Sequence, residues 1–174
     1  MDNPEHYEIR MQLESYNDIF SDFDPRPFSE KALSDDFLAE AKKASGDKTE
    51  EIDILFFIAK QKRDAKDEIT IKKRLLAHFK RHHLLLHEER KKLVKSGMIF
   101  ITIGIILMFL ATFIIFQYEH NIFASFSIIL LEPASWFLFW EGLNLIIFTS
   151  KKKEHELVFY KKMSRARIFF STRK

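Results

Sequence analysis

Two carboxylates sit where a chain is otherwise at its oiliest. Within "IILLEPASWFLFWEGLNLIIF" (128–148), Glu132 and Glu141 interrupt an apolar run, joined by Pro133, Trp136, Trp140 and Asn144. From Lys95 to Lys151 no lysine or arginine intervenes, and the only acids are Glu119, Glu132 and Glu141. An ionised group at the centre of a bilayer costs about 2.5–3.5 kcal/mol on insertion scales, so residues of this kind mark an ion path or a buried partner. Two chemistries fit: a carboxylate that ligates a passing cation, and a neutral carboxyl that hydrogen-bonds helices together.

On a helix turning about 100° per residue, Glu132 shares a face with Ile128, Ser135, Trp136, Phe139 and Leu143. Glu141 falls about 180° away, beside Phe137, Asn144, Leu145 and Phe148. One pair of helices cannot shelter both, so neighbouring copies of the chain are expected to supply the rest. The expected ion-facing group is Glu132 with Glu119, Ser135 and Trp136. Glu141, Gly104, Pro133, Trp140 and Asn144 are the expected packing and assembly group, Gly104 being reckoned at the depth of Glu141.

The helices that must carry these residues are explicit in the sequence. Residues 97–118 are apolar and long enough to span a ~30 Å hydrocarbon core at ~1.5 Å per residue. Residues 119–121 form a polar turn, and 122–150 make a second, longer apolar segment that must tilt or kink, the kink expected near Pro133. Basic runs lie before the first and after the second, and none lies in the turn. The positive-inside rule then predicts an inner- or plasma-membrane protein with both termini cytoplasmic and the turn outside.

Residues 1–63 read as a small cytoplasmic α/β domain. "YEIRMQL" alternates with period two, as a half-buried strand does, and "EIDILFFIA" reads as a more buried one. Between them Ser34 is placed to cap a helix that ends at Gly46. "ARIFFST" (166–172) has a strand's composition and is expected to join the same sheet, at the end of a basic segment covering 151–174. Residues 64–96 form a basic helical stem in which Ile69, Leu76, His83, Arg90 and Gly97 recur every seven residues, a coiled-coil spacing. The fold class is therefore α+β: a small domain, a stem and a two-helix membrane hairpin, assembled as a homo-oligomer.

Other chemistry is thin. His78 with His82, and His83 with His87, lie one helical turn apart and are the weak metal-ligand candidates, with no cysteine to complete a set. "RHHLLLH" (81–87) resembles the signature of helical ribonucleases of the HEPN type, but it stands here between strands and apolar spans. The aspartates of "NDIFSDFD" lack the glycine and terminal glutamate of a calcium loop and suit turns better. With no phosphate loop and no nucleophile elbow, no enzyme is expected. The net charge of +3 comes mainly from the flanks of the apolar block and so says nothing about nucleic acid; the expected partners are membrane lipid and no nucleic acid.

The order of soluble domain, basic helix, span, short turn, span with Glu-Pro and basic helix resembles the pore hairpin of the mitochondrial calcium uniporter family. Glu132 and Pro133 match that family's Glu-Pro, and Trp136 stands near its following aromatic. Ile128 and Ile129 occupy the places of the family's outer Trp and Asp. The resemblance implies an oligomeric channel with calcium or another cation as permeant ion and no bound cofactor. The alternative is a non-conducting membrane adaptor whose cytoplasmic domain recruits a protein partner.

Overall fold

A computed structural model describes residues 7–46, 52–118 and 121–172. The chain divides into two compact units. One takes in the chain up to Leu85 and from Glu156 onward, and the other is Leu86–His155.

The first unit is built on three parallel strands, β1 (Tyr7–Gln12), β2 (Ile52–Ile58) and β3 (Arg167–Thr172), in the order β1-β2-β3. Ile54 aligns with Ile9 on one side and with Ile168 on the other. The C-terminal strand thus joins the N-terminal ones, as its composition predicted. Period-two alternation fixes this register, because a one-residue slip would turn the apolar set to the wrong face. Ile9, Ile52, Ile54, Phe56, Ile58 and Ile168 are buried on the helix-covered face.

Helix α1 (Asp35–Ser45) crosses from β1 to β2 and buries Phe37 and Ala41. Its ends are set by the expected residues. The Ser34 hydroxyl accepts from the Phe37 amide at 3.5 Å, and Gly46 closes the helix at φ +47°, where a side chain would be strained. The loop before it is closed by Asp24, which accepts from the Ala32 amide at 2.6 Å and from the Arg26 guanidinium. Those hydrogen bonds, Arg26 first, hold its carboxyl well below the usual carboxylate range. This is turn duty, which the sequence suggested for the aspartates here.

Helix α2 spans Ala65–Gln117. Its first turns bury Ile71, Leu75 and Phe79 in the sheet's core, a four-residue spacing. Ile69, first of the seven-residue series, is instead 54% exposed. A helix laid on a sheet buries a stripe, here at i, i+4 and i+8, and of the seven-residue series Leu76 packs partly buried at its margin. Helix α4 (Glu154–Met163) adds Phe159 and Met163 to the same core.

One polar cluster ties the C-terminal ends of the strands to the start of α2. Arg63 holds Glu68 through two hydrogen bonds, at 2.7 and 3.0 Å, and reaches the Thr172 hydroxyl at 3.2 Å. The Tyr16 hydroxyl donates to Glu68 at 3.1 Å and accepts from the Asp64 amide at 3.0 Å. Arg63 lowers the Glu68 pKa against the opposing effect of burial. Replacing Glu68 by Gln leaves the guanidinium without its counter-charge, and about 1–3 kcal/mol of stability should go with it. Because the folded-state pKa is depressed, that contribution is complete at neutral pH and is lost as pH falls through the carboxylate range. Amide exchange at β3 in the full chain should rise in the variant at pH 7, and the gap from wild type should narrow in acid.

Candidate functional site: an apolar helical hairpin with an outward carboxylate

The second unit contains the later part of α2, the helix α3 (Ile122–Asn144), a π-helical segment Leu145–Thr149 and a single turn Ser150–Lys152. Both long helices are apolar and long enough to cross a membrane. Asn121 starts α3 by accepting from the Phe123 amide at 2.9 Å and the Ala124 amide at 3.4 Å. The helix runs on unbroken through Pro133.

α2 and α3 meet along a seam of small residues. Gly97, Gly104, Ala111, Ser135 and Gly142 are buried there. A Cβ added to Gly142 would lie 2.6 Å from the Gly97 carbonyl oxygen and 2.9 Å from the Ile101 amide nitrogen. One added to Gly104 would lie 2.9 Å from the Ser135 carbonyl oxygen and 3.0 Å from the Phe139 amide nitrogen. Backbone meets backbone, the arrangement by which small residues give apolar helices dispersion contact in lipid. The partners lie at equal chain distances either side of the turn. Gly104 therefore faces Ser135 and Phe139, not the depth of Glu141, and Gly97 is the glycine opposite Gly142. Counting from the inner boundary missed this because the second segment extends farther beyond it. The stem's seven-residue phase reappears here: Arg90, Gly97, Gly104 and Ala111 continue it, and Arg90 Nε donates to the Ser150 hydroxyl at 3.3 Å.

The seam decides where the site residues point. Ser135 is 1% exposed, and its hydroxyl donates to the Glu132 carbonyl oxygen at 2.8 Å, so it belongs to the inside of the hairpin. Glu132, Pro133, Trp136 (56% exposed) and Trp140 (60%) lie on the outside. The two indoles stack, with centroids 6.5 Å apart and planes 21° apart. Glu141 is half-buried and accepts from the Asn144 amide at 3.3 Å, a pairing the spacing of three allows. Glu119 lies outside the described residues. Among the described residues, no hydrogen bond or ion pair reaches the Glu132 side chain.

The stem histidines belong to the first unit up to His83, and they pack instead of converging. The His78 and His82 rings lie 4.2 Å apart, tilted by 30°, and His82 stacks on Tyr160 at 5.2 Å. Burial first, then His82, Arg74 and Arg81, push the His78 pKa down to about 4, and its Nε2 is buried with no hydrogen-bond partner. His83 is half-buried and His87, in the second unit, is exposed. Among the described residues no group of three or more metal-ligating side chains is present.

No protein-family model matches the chain, and no curated protein or solved structure matches it either.

What sequence reasoning missed is the seam itself. Its signal was present, since Gly97, Gly104 and Ala111 recur every seven residues and Ser135 and Gly142 repeat that spacing on the facing segment. Gly142→Ala should push the two backbones apart and cost about 1–3 kcal/mol, as overpacking does. Thermal unfolding of the full chain in mild detergent should show it. Phe109→Ala, exposed on α2 away from the seam, should leave that midpoint nearly unchanged.

Proposed function

We propose that this chain is a two-span membrane protein whose hairpins assemble through the outer face of α3 into a cation-permeable pore. One observation carries the reading: Glu132 stands on the outside of the hairpin, in an apolar helix, with no basic residue in either long apolar segment to neutralise it. Lipid is a costly environment for that carboxyl, whereas a ring of copies would give it water and cations. Trp136 and Trp140, stacked one and two turns along the same face, would form the wall beside it. Ser135 is excluded from that lining because it is used inside the hairpin. Calcium or another cation is the proposed permeant ion, in keeping with the Glu-Pro resemblance to the uniporter hairpin.

Two features support an inner- or plasma-membrane topology with both termini cytoplasmic. Basic residues flank the apolar pair and are missing from its turn. Independently, β3 pairs with β2, so the chain that leaves after β2 has to come back to the same side. A cysteine at Asn121 should react with an impermeant thiol reagent added outside intact cells, and one at the exposed Ser29 should not. Labelling at Ser29 alone would reverse the topology.

A second reading, the non-conducting adaptor, draws on a different observation. Parallel sheets are normally covered on both faces. Here Leu55, Phe57 and Phe169 lie on the face away from the helices, and Phe169 is 45% exposed. A protein partner for the cytoplasmic domain would cover them. The bulky outer face of α3 would then serve packing between copies.

Flux separates the two. Purified wild type, a homo-oligomer by mass photometry, should pass cations in proteoliposomes, and Glu132→Gln should keep oligomer size while reducing flux at least tenfold. Glu141→Gln should change stability or assembly more than flux. If confirmed oligomers pass neither monovalent nor divalent cations at any voltage, the pore is wrong and the adaptor stands.

A further inference from the structure

The base of the hairpin contains a cleft of about 530 Å³ whose walls come entirely from the second unit. Lys92 and Lys153 stand on it, one from α2 and one from the turn after the π-helical segment. Ser96 and Thr149 bring hydroxyls, while Leu93 and Leu145 form an apolar wall. Glu89 also lines the cleft and is ion-paired to Lys153, which lowers the Glu89 pKa. In the chain, these residues flank the points where the apolar runs begin and end: Gly97 opens the first, and the second closes at Ser150.

We propose that this cleft binds the phosphodiester headgroup of an anionic membrane lipid, one per hairpin. The proposal rests on the reading that the apolar helices cross a bilayer. At that depth a headgroup phosphate is level with Lys92 and Lys153, and a basic pocket between membrane helices is where such groups are held. Two ammonium groups from opposite walls neutralise the phosphate, and the Ser96 and Thr149 hydroxyls donate to its remaining oxygens. Leu93 and Leu145 give the glycerol and the first acyl carbons an apolar surface, which a free phosphate would leave unused. Glu89 holds Lys153 at the cleft when it is empty. An arriving phosphate shares that ammonium, which has three donors. Lys151 and Lys152 are exposed and line no part of the cleft, so they serve as an internal control.

The full chain, purified in a phosphate-free detergent, is titrated with phosphatidylglycerol, with phosphatidylcholine and with inorganic phosphate, and bound mass is read by native mass spectrometry. Wild type should take one phosphatidylglycerol per chain at least tenfold more tightly than phosphatidylcholine. Lys92→Gln/Lys153→Gln should lose tenfold or more of that affinity, and Lys92→Arg/Lys153→Arg should retain it. Lys151→Gln/Lys152→Gln should change it less than twofold. Equal loss in the two glutamine pairs, or equal binding of the two lipids, overturns the cleft as a headgroup site. Inorganic phosphate binding as tightly as phosphatidylglycerol assigns the cleft to a free anion and overturns the lipid. Thermal midpoints within a few degrees of wild type establish that the variants are folded. Alkaline extraction of membranes from expressing cells checks the underlying reading separately. Release of wild type into the supernatant removes the membrane assignment itself, whereas a retained protein with unselective binding removes only the cleft.

Discussion

The pairing of β3 with β2 joins residues 114 positions apart, as the bidentate Arg167–Asp53 contact at the start of the pair makes plain. Closing a flexible loop of that length would cost about 4 kcal/mol in chain entropy. The helical hairpin removes much of that cost, since Arg90 meets Ser150, and Glu89 meets Lys153, where its two strands of chain begin and end. The third strand therefore depends on the hairpin, whose closed base shortens the loop that β3 must close.

On the proposed membrane reading, the requirement inside the hairpin is contact without a hydrophobic driving force. Lipid tails are as apolar as leucine, so helices in lipid associate through close packing and polar contacts. The glycines and Ser135 meet this requirement by letting carbonyls and amides of the two helices approach to distances no Cβ tolerates. That solution has a consequence for the acids. Small residues occupy the closest points of the inner face, so Glu132, Trp136 and Trp140 are turned outward and Glu141 to the flank. Glu132 is outside for the same reason that Gly142 is inside.

The sequence made the strands, the capped helix and the two apolar helices legible because each rests on short-range signals: alternation, a Ser cap with a closing Gly, and unbroken apolar length. Ser34 and Gly46 mark the ends of α1 to the residue. The stem was harder. A seven-residue series from Ile69 to Gly97 looked uniform, yet Ile69 faces solvent, Leu76 packs against the sheet's core, and Arg90 and Gly97 meet the returning chain of the hairpin. Periodicity reports that a face exists, not what covers it. The Arg63–Glu68–Tyr16 cluster was invisible for another reason, since its members come from separate elements and none belongs to a motif. In the hairpin, helical projection put Ser135 on the face of Glu132. That projection is correct within ~60°, and the seam passes through that interval, dividing them.

The π-helical segment Leu145–Thr149 has a geometric meaning of its own. Along α3 the buried seam positions Ser135 and Gly142 are seven apart, but the next buried position, Ser150, comes eight later. A π turn holds one residue more than an α turn, bonding i to i+5. It takes up that odd residue and returns the helix to phase, rotating the residues beyond it by about 100° relative to an uninterrupted helix. In an unbroken α-helix Thr149 would stand where Ser150 now meets Arg90, and the lysine presented to Glu89 would be Lys152. The bulge is thus a one-residue gear between the apolar seam and the polar base, selecting which member of a run of three identical lysines is engaged.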